Sequence, residues 1–219
     1  MPSNLITQQS GFSPHGESTP FPGIASRLGA QVVMDFYTWA ALSGAAFEVK
    51  AGTITTPLVG DVPITDTRAE YCADAASGTT IIPVYNNIAL RLMATLTLEM
   101  GVKSVATVSS AGTAFVPLPL KSNGSAAVTT ARVAAHAVTV TAELATTTLR
   151  HWAYANPTGN TTAGTNLGVY NGAVPDWMPR TPPVLVGPRC VYVQIAAATT
   201  GPSYYASMEY LEFPTASLL

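Results

Sequence analysis

Apolar and polar residues alternate along several stretches of this chain, most regularly over Ala137–Arg150. There Val138, Val140 and Leu144 fall on one side of the alternation, and threonines such as Thr139 fall on the other. Because successive side chains of a strand point to opposite faces of a sheet, this period of two predicts a single strand. We expect its apolar residues in the core and its threonines on the outer surface.

The same period returns near the carboxyl end of the chain. Over Cys190–Ala196, the apolar residues Val191, Val193 and Ile195 alternate with tyrosine and glutamine. This pattern predicts a strand whose three aliphatic side chains lie in the core. A final strand is predicted over Ser203–Phe213.

The first half of the chain contains further predicted strands, separated by Asn86-Asn87, by Gly101 and by turn residues. Ile88–Met100 is ambiguous, because it is rich in good helix formers but also alternates, and we favour a strand in this β-rich context. The predicted strands are Gln31–Leu42, Phe47–Thr55, Gly78–Tyr85, Ile88–Met100, Lys103–Val108 and Thr113–Leu120. Turns are predicted at Ser109–Gly112 and Ser122–Ser125, and a long loop at Asn156–Gly172.

These segments define an all-β fold, because they supply eight to ten short strands with gaps too short for helical crossovers. The expected architecture is an antiparallel β-sandwich, a single jelly roll in our interpretation, over residues 31–219. Residues 1–30 form a separate extended arm, because the first 26 residues contain prolines and no lysine or arginine. Candidate inter-subunit contacts of this arm are Phe12, Pro14, Pro20, Phe21 and Pro22.

Charge is scarce, and this scarcity favours an assembly subunit over a free monomer. Only 10% of the 219 residues are charged, against roughly 25% in ordinary soluble domains. A monomer of this mass exposes roughly 9,500 Å², so each charge serves on the order of 400 Å². We therefore expect other copies of the chain to cover much of the surface. The net charge of −2 provides no field that attracts nucleic acid or an anionic membrane.

Two further observations argue against a membrane-spanning chain and against a secretory signal. No run approaches the 18 or so consecutive apolar residues of a membrane span. Met1–Gly16 lacks the basic and apolar regions of a secretory signal, so none is expected.

The two cysteines, Cys72 and Cys190, lack metal-ligand spacing and are expected to be small buried hydrophobic residues, with a long-range disulfide left open. Acidic residues are densest at Asp61, Asp66, Glu70 and Asp74. Such a group could bind Ca²⁺, but its spacing differs from that of an EF-hand loop and Arg68 lies within it. A solvated loop is the favoured interpretation.

No catalytic constellation is visible. His15 lies in the arm, His136 is predicted at a turn and His151 at a strand end. The sequence contains no nucleophile elbow, Walker loop, dinucleotide fingerprint or HExxH motif. We therefore predict no enzyme activity, no cofactor and no metal site.

Three segments carry a family resemblance, namely Gly78–Val84, Gly112–Leu120 and Pro182–Ile195, with short Thr/Val/Ala strands punctuated by proline. In this pattern the chain resembles single jelly-roll capsid proteins of icosahedral viruses. The resemblance implies a structural protein of the virion that self-assembles in the host cytoplasm into a shell enclosing the genome. Its partners would be further copies in the lattice, with other capsid proteins as an option.

One departure from that family concerns nucleic acid. Capsid proteins that condense single-stranded RNA carry a basic arm, whereas the first basic residue here is Arg27. The pattern is closer to that of small capsid proteins of double-stranded DNA phages, in which another component packs the genome. We expect no sequence-specific binding of nucleic acid.

The alternative interpretation is a binding module, either a phage decoration or tail domain or a carbohydrate-binding sandwich. In the carbohydrate case, sugar rings would stack on aromatic side chains exposed on one surface. The candidates are Trp152, Tyr154, Tyr170 and Trp177, for which core packing is the competing and favoured interpretation.

Overall fold

The computed structural model describes residues 35–62, 65, 67–92, 97–141, 146–155, 176–197 and 202–218. The arm residues Phe12, Pro14, Pro20, Phe21 and Pro22, and also His15, Asp66, Leu144, Tyr170 and the Asn156–Gly172 segment, lie outside the described residues. The described elements are α1 (Phe36–Ser43), β1 (Ala46–Ala51), β2 (Leu58–Val59), β3 (Arg68–Ala75), β4 (Thr79–Leu92), β5 (Thr97–Val105), β6 (Thr113–Phe115), β7 (Leu118–Pro119), β8 (Thr130–Thr139), β9 (Thr146–Ala155), β10 (Asp176–Trp177), β11 (Leu185–Val186), β12 (Arg189–Ala197), β13 (Ser203–Pro214) and a 3-10 turn (Thr215–Ser217).

The strands form two antiparallel sheets, which confirms the predicted all-β sandwich. One sheet has seven strands in the order β10-β4-β13-β1-β7, with β11 added to β4 and β2 added to β13. The other has six strands in the order β6-β8-β3-β12-β5-β9. Every ladder between named strands is antiparallel.

Pairing between the sheets' main strands is nested along the chain. The early strand β1 pairs with the last strand β13, β3 pairs with β12, β4 pairs with β10, and β5 pairs with β9. The pairs also divide between the sheets, since β1, β4, β10 and β13 form one sheet and β3, β5, β9 and β12 the other. The chain is therefore connected like a long hairpin folded across two layers.

A single apolar core lies between the sheets and contains residues from both. Phe47 and Val49 of β1 and Met208 of β13 face Tyr71 of β3 and Met100 of β5 in this core. The predicted core residues Val191, Val193 and Ile195 of β12 also lie here and are fully buried. Burying each large aliphatic or aromatic side chain stabilises the fold by about 1.5–3 kcal/mol.

The predicted single strand over Ala137–Arg150 is wrong. Strand β8 ends at Thr139, Val140 and Thr141 lie outside any strand, and β9 begins at Thr146. Val138 and Val140 are buried, but they belong to a second cluster with Cys72, Cys190 and Tyr192 rather than to the shared core. The alternation was informative about which residues are buried, but a period of two continues unchanged where the chain leaves one strand for another.

The strand predicted over Gln31–Leu42 is also wrong in its described part, which forms helix α1. Asp35 caps the helix by accepting a hydrogen bond from the Thr38 amide at 2.9 Å. Gly44 ends it in the left-handed region, at φ 83°, which costs glycine little. The apolar run over this segment suits a strand as well as a helix, but the cap residues at both of its ends favour the helix.

The described parts of Ile88–Met100 are strand, which confirms the preference for strand over helix there. The predicted breaks were wrong, because Asn86-Asn87 lies inside β4 and Gly101 inside β5. Asn86 fits a buried strand position because its side-chain oxygen accepts a hydrogen bond from the Tyr71 hydroxyl at 2.6 Å. Strands β12 and β13 match their predicted bounds to within one residue.

Candidate functional site

Helix α1 covers one end of the outer face of the seven-stranded sheet. Ala40 on the helix is fully buried and joins Ile82, Leu211 and Phe213 of the sheet in a small apolar cluster. The helix is thereby fixed on the sheet through its small residues. In the part of the chain that the structure describes, no helix is long and apolar enough to cross a membrane.

The other large apolar side chains of α1 remain partly exposed to solvent. Phe36, Tyr37, Trp39 and Leu42, here called the aromatic ridge, are 50%, 45%, 41% and 57% exposed. The Phe36 and Trp39 rings stack at 5.9 Å, and both also contact Phe213 of the sheet, at 6.1 and 6.3 Å. Helix α1 is therefore apolar around most of its circumference, a composition typical of a helix buried on all sides.

Elsewhere on the described surface, exposed apolar residues outnumber exposed charged residues. The exposed charged residues are Asp35, Lys50, Arg68, Glu99, Arg150, Asp176 and Arg180. The exposed large apolar residues are Phe36, Tyr37, Trp39, Leu42, Ile54, Val59, Val62, Val108, Val116, Leu118, Leu120, Val128, Met178, Val184 and Val186.

The outer face of the six-stranded sheet holds the acidic residues singled out in the sequence, next to the buried cluster of Val138, Val140 and Tyr192. Glu70 on β3 is buried, and its carboxylate accepts hydrogen bonds from the amides of Asp61 at 3.1 Å and Ile195 at 2.7 Å. Burial raises the pKa of the Glu70 carboxyl well above its ordinary value, although the two amides oppose that shift. Glu70 thus holds the segment at Asp61 against β12.

The predicted solvated acidic loop is wrong for three of its four members. Asp61, Glu70 and Asp74 are 3%, 1% and 5% exposed, and two of them lie in β3 rather than in a loop. Asp61 lies 3.7 Å from the Arg68 guanidinium, while its other carboxylate oxygen is buried without a hydrogen-bond partner. The sequence did contain a signal that one face of β3 is polar. Every second residue of this strand has a polar or ionisable side chain, namely Arg68, Glu70, Cys72 and Asp74.

A shallow pocket lies beside Glu70 on this face and measures about 50 Å³. Charged side chains of both signs line it, including Arg68, Lys103 and Glu99, and the Glu99 carboxylate lies 3.8 Å from Nε2 of His151. One water needs roughly 10–15 Å³, so the pocket has room for a few waters.

Further along the same face, Cys72 and Cys190 meet Asp74 and Ser109. One ligand atom from each cysteine and from Asp74 lies within 4.8 Å of the other two. The Asp74 carboxylate accepts hydrogen bonds from the Ser109 amide at 2.8 Å and from its hydroxyl at 2.6 Å. Since that hydroxyl donates to Asp74, the Cys72 thiol donates to Ser109 Oγ, 3.0 Å away. Both cysteines are buried, as predicted, and free of disulfide.

Electrostatics favour the protonated form of the Cys190 thiol. Burial, and then the neighbouring Cys72 and Asp74, raise the pKa of the Cys190 thiol well above its ordinary value. No local sequence pattern predicts this cluster, because the two cysteines are far apart in the chain and meet only through the β3–β12 ladder.

Other predicted candidates fall in different places. His136 lies within β8 rather than at a turn, and His151 on β9 is half exposed beside Glu99. Trp177 is buried in the shared core and Trp152 packs against it. These two residues of the suggested sugar platform therefore face the interior.

No protein-family model, curated protein or solved structure matches this chain.

Proposed function

We propose that this protein is a structural subunit of an icosahedral virus shell and assembles through contacts between copies of itself. The aromatic ridge carries this proposal. Exposing four large apolar residues on one short helix is unfavourable in a free monomer, so the ridge calls for a partner surface.

The strand connectivity supports the same conclusion. Nested pairing of eight strands, divided four and four between two sheets, corresponds to the connectivity of a single jelly roll, an architecture that recurs in viral capsids, lectins and cupins. Tyr71, Met100 and Met208 fill the space between the sheets, so the interior provides no ligand cavity of the cupin type at these positions. Three sequence segments resemble capsid proteins, and this resemblance favours a capsid protein over a lectin or a cupin.

The occupant we propose for the ridge is a neighbouring copy of the chain. Residues 1–34 precede α1 directly and contain apolar and proline residues but no basic residue before Arg27. An arm that leaves the subunit beside the ridge can contact the next subunit with apolar side chains, because it carries few charges to desolvate. The scarcity of exposed charge on the described surface suits repeated apolar contacts of this kind.

Single lysine substitutions test the ridge. Tyr37→Lys and Leu42→Lys place a charge on the proposed contact, while their exposure means that folding is retained. Met178→Lys is the matched control, because Met178 is 76% exposed and directly follows β10 rather than belonging to α1. Light scattering is expected to show wild-type and Met178→Lys assemblies and much smaller species for the two ridge variants. Assembly of the ridge variants at wild-type concentration and size would contradict the proposal.

A further inference from the structure

The outer face of the six-stranded sheet contains a second possible site, which is independent of the proposed shell function. We propose that Cys72, Cys190 and Asp74 bind one thiophilic divalent cation of the zinc class. The sequence predicted no metal site, because its cysteines lack a spaced motif. The fold nevertheless brings three ligand side chains together, although their spacing in the sequence does not indicate a metal site.

Geometry is the first argument. Cys72 and Asp74 alternate on β3, and Cys190 lies directly across the ladder from Asp74 on β12. The three ligand atoms are within 4.8 Å of one another. In a tetrahedral zinc site with Zn–S near 2.3 Å, two sulfurs lie about 3.8 Å apart. Side-chain shifts of about 1 Å therefore suffice to close the site, with no change in strand register.

Ligand chemistry is the second argument. Two sulfurs and one carboxylate oxygen form a mixed soft and hard donor set that suits zinc and not calcium or magnesium. Ser109 Oγ already contacts both Cys72 and Asp74 and can orient a water in the fourth position.

Charge balance is the third argument. Two thiolates and one carboxylate carry three negative charges when both thiols release their protons to the buffer. A divalent cation together with the Arg132 guanidinium neutralises all three. Arg132 Nε lies 3.5 Å from Asp74 Oδ2 and has no hydrogen-bond partner. Arg132 also lies directly opposite Cys72 on the neighbouring strand β8.

The cluster is buried but close to the surface. Ser109 is the one buried residue in the segment 106–112, and its neighbours Val108 and Ser110 are exposed. Displacing this short segment breaks the hydrogen bonds of Ser109 to Asp74 and the Ser110–Thr139 bridge, but it leaves the ladders between named strands in place. This segment is therefore the route by which we expect an ion to reach the site.

Cobalt titration of the reduced full-length chain tests the proposal, since Co²⁺ gives a thiolate charge-transfer band when cysteine binds it. We expect one Co²⁺ per chain, displacement of the band by Zn²⁺, and a rise in melting temperature with added Zn²⁺. Cys72→Ser and Cys190→Ser are each expected to remove the band. Asp74→Asn should weaken binding about tenfold or more.

Ser104→Ala is the matched control, because Ser104 is buried on β5 in the same sheet and its hydroxyl has no hydrogen-bond partner. This variant should retain the band. The wild-type titration decides the question even if a cysteine variant fails to fold. A folded, reduced wild-type chain without a charge-transfer band, or a band that survives loss of either cysteine, would overturn the proposal. Rapid closure of a Cys72–Cys190 disulfide in place of metal uptake would overturn it as well.

Discussion

At the scale of single residues, buried and partly buried carboxylates in this protein bind backbone amides of distant segments. Glu70 accepts amides from Asp61 and Ile195, Asp74 accepts the amide of Ser109, and Glu212 accepts those of Val128 and Thr129. Each joins a loop to a strand. Hydrogen bonds to charged acceptors are stronger than neutral ones, at roughly 1.5–3 kcal/mol net. A chain with few charges has thus placed several of them where they fix loops.

Two glutamates of β13 provide a matched test of this role. Glu212→Gln leaves one amide donor without its charged acceptor and should reduce the free energy of unfolding by about 1–3 kcal/mol. Glu209 lies opposite Glu48 across the β1–β13 ladder and has a like charge for a neighbour. Glu209→Gln should therefore be neutral or stabilising. Urea denaturation measures both, and equal destabilisation by the two variants would contradict the assigned roles.

The proximity of Glu209 to Glu48 predicts a pH dependence of stability. Partial burial, and then the charge of Glu48, raise the pKa of Glu209 above its ordinary value. The folded state therefore binds the Glu209 proton more tightly than the unfolded state. The resulting contribution to the free energy of unfolding is present at low pH and is lost as pH rises through the folded pKa. Glu209→Gln should raise the melting temperature relative to wild type near pH 7, and the difference should vanish below about pH 3.5. A constant difference across that range would contradict the assignment.

At the scale of elements, helix α1 depends on its caps and on its fit to the sheet. Gly44 has φ 83°, and a Cβ at this position would meet only Lys121 at 3.8 Å. Backbone strain is thus the main cost of substitution. Gly44→Ala should reduce stability by about 1 kcal/mol, and Gly44→Asn by less, because asparagine tolerates this conformation. Hydrogen exchange of the α1 amides should accelerate in the same order, and equal protection in all three proteins would contradict the role of Gly44.

The elements also show where sequence patterns suffice. The β12 and β13 strands follow from alternation because, along most of each strand, every second residue is apolar and lies in the shared core. Ala137–Arg150 keeps the same alternation although β8 and β9 are separate strands with three others between them in the sheet. Its pattern therefore predicts burial but not the break between the two strands. In Gln31–Leu42, the signals that distinguish helix from strand are two single residues, Asp35 and Gly44, rather than the apolar pattern.

The candidate sites were less predictable than the strands, for a physical reason. The thiol cluster forms only when the β3–β12 ladder brings together residues distant in sequence, and no local pattern encodes that pairing. The acidic segment was visible as a cluster, but the burial of Asp61 and Glu70 depends on backbone amides supplied by another strand. The aromatic ridge could have been recognised from four large apolar residues between the two cap residues of one helix.

At the scale of the whole molecule, we propose that the N-terminal arm contributes to the contacts between subunits. Deleting residues 1–26 should leave a folded sandwich, because every described strand lies after residue 35. We predict that the truncated chain assembles poorly and that any nucleic-acid affinity is unchanged, since no basic residue precedes Arg27. Sedimentation measures the first effect and a salt-dependent binding assay the second. Normal assembly, or loss of salt-dependent binding, would contradict the role assigned to the arm.

Sedimentation velocity and electron microscopy of the purified protein at micromolar concentration measure whether the full chain is an assembly subunit. We expect multi-subunit species, with closed shells of uniform diameter in the images, under this proposal. A single stable 22.7 kDa species and a field free of particles would contradict it.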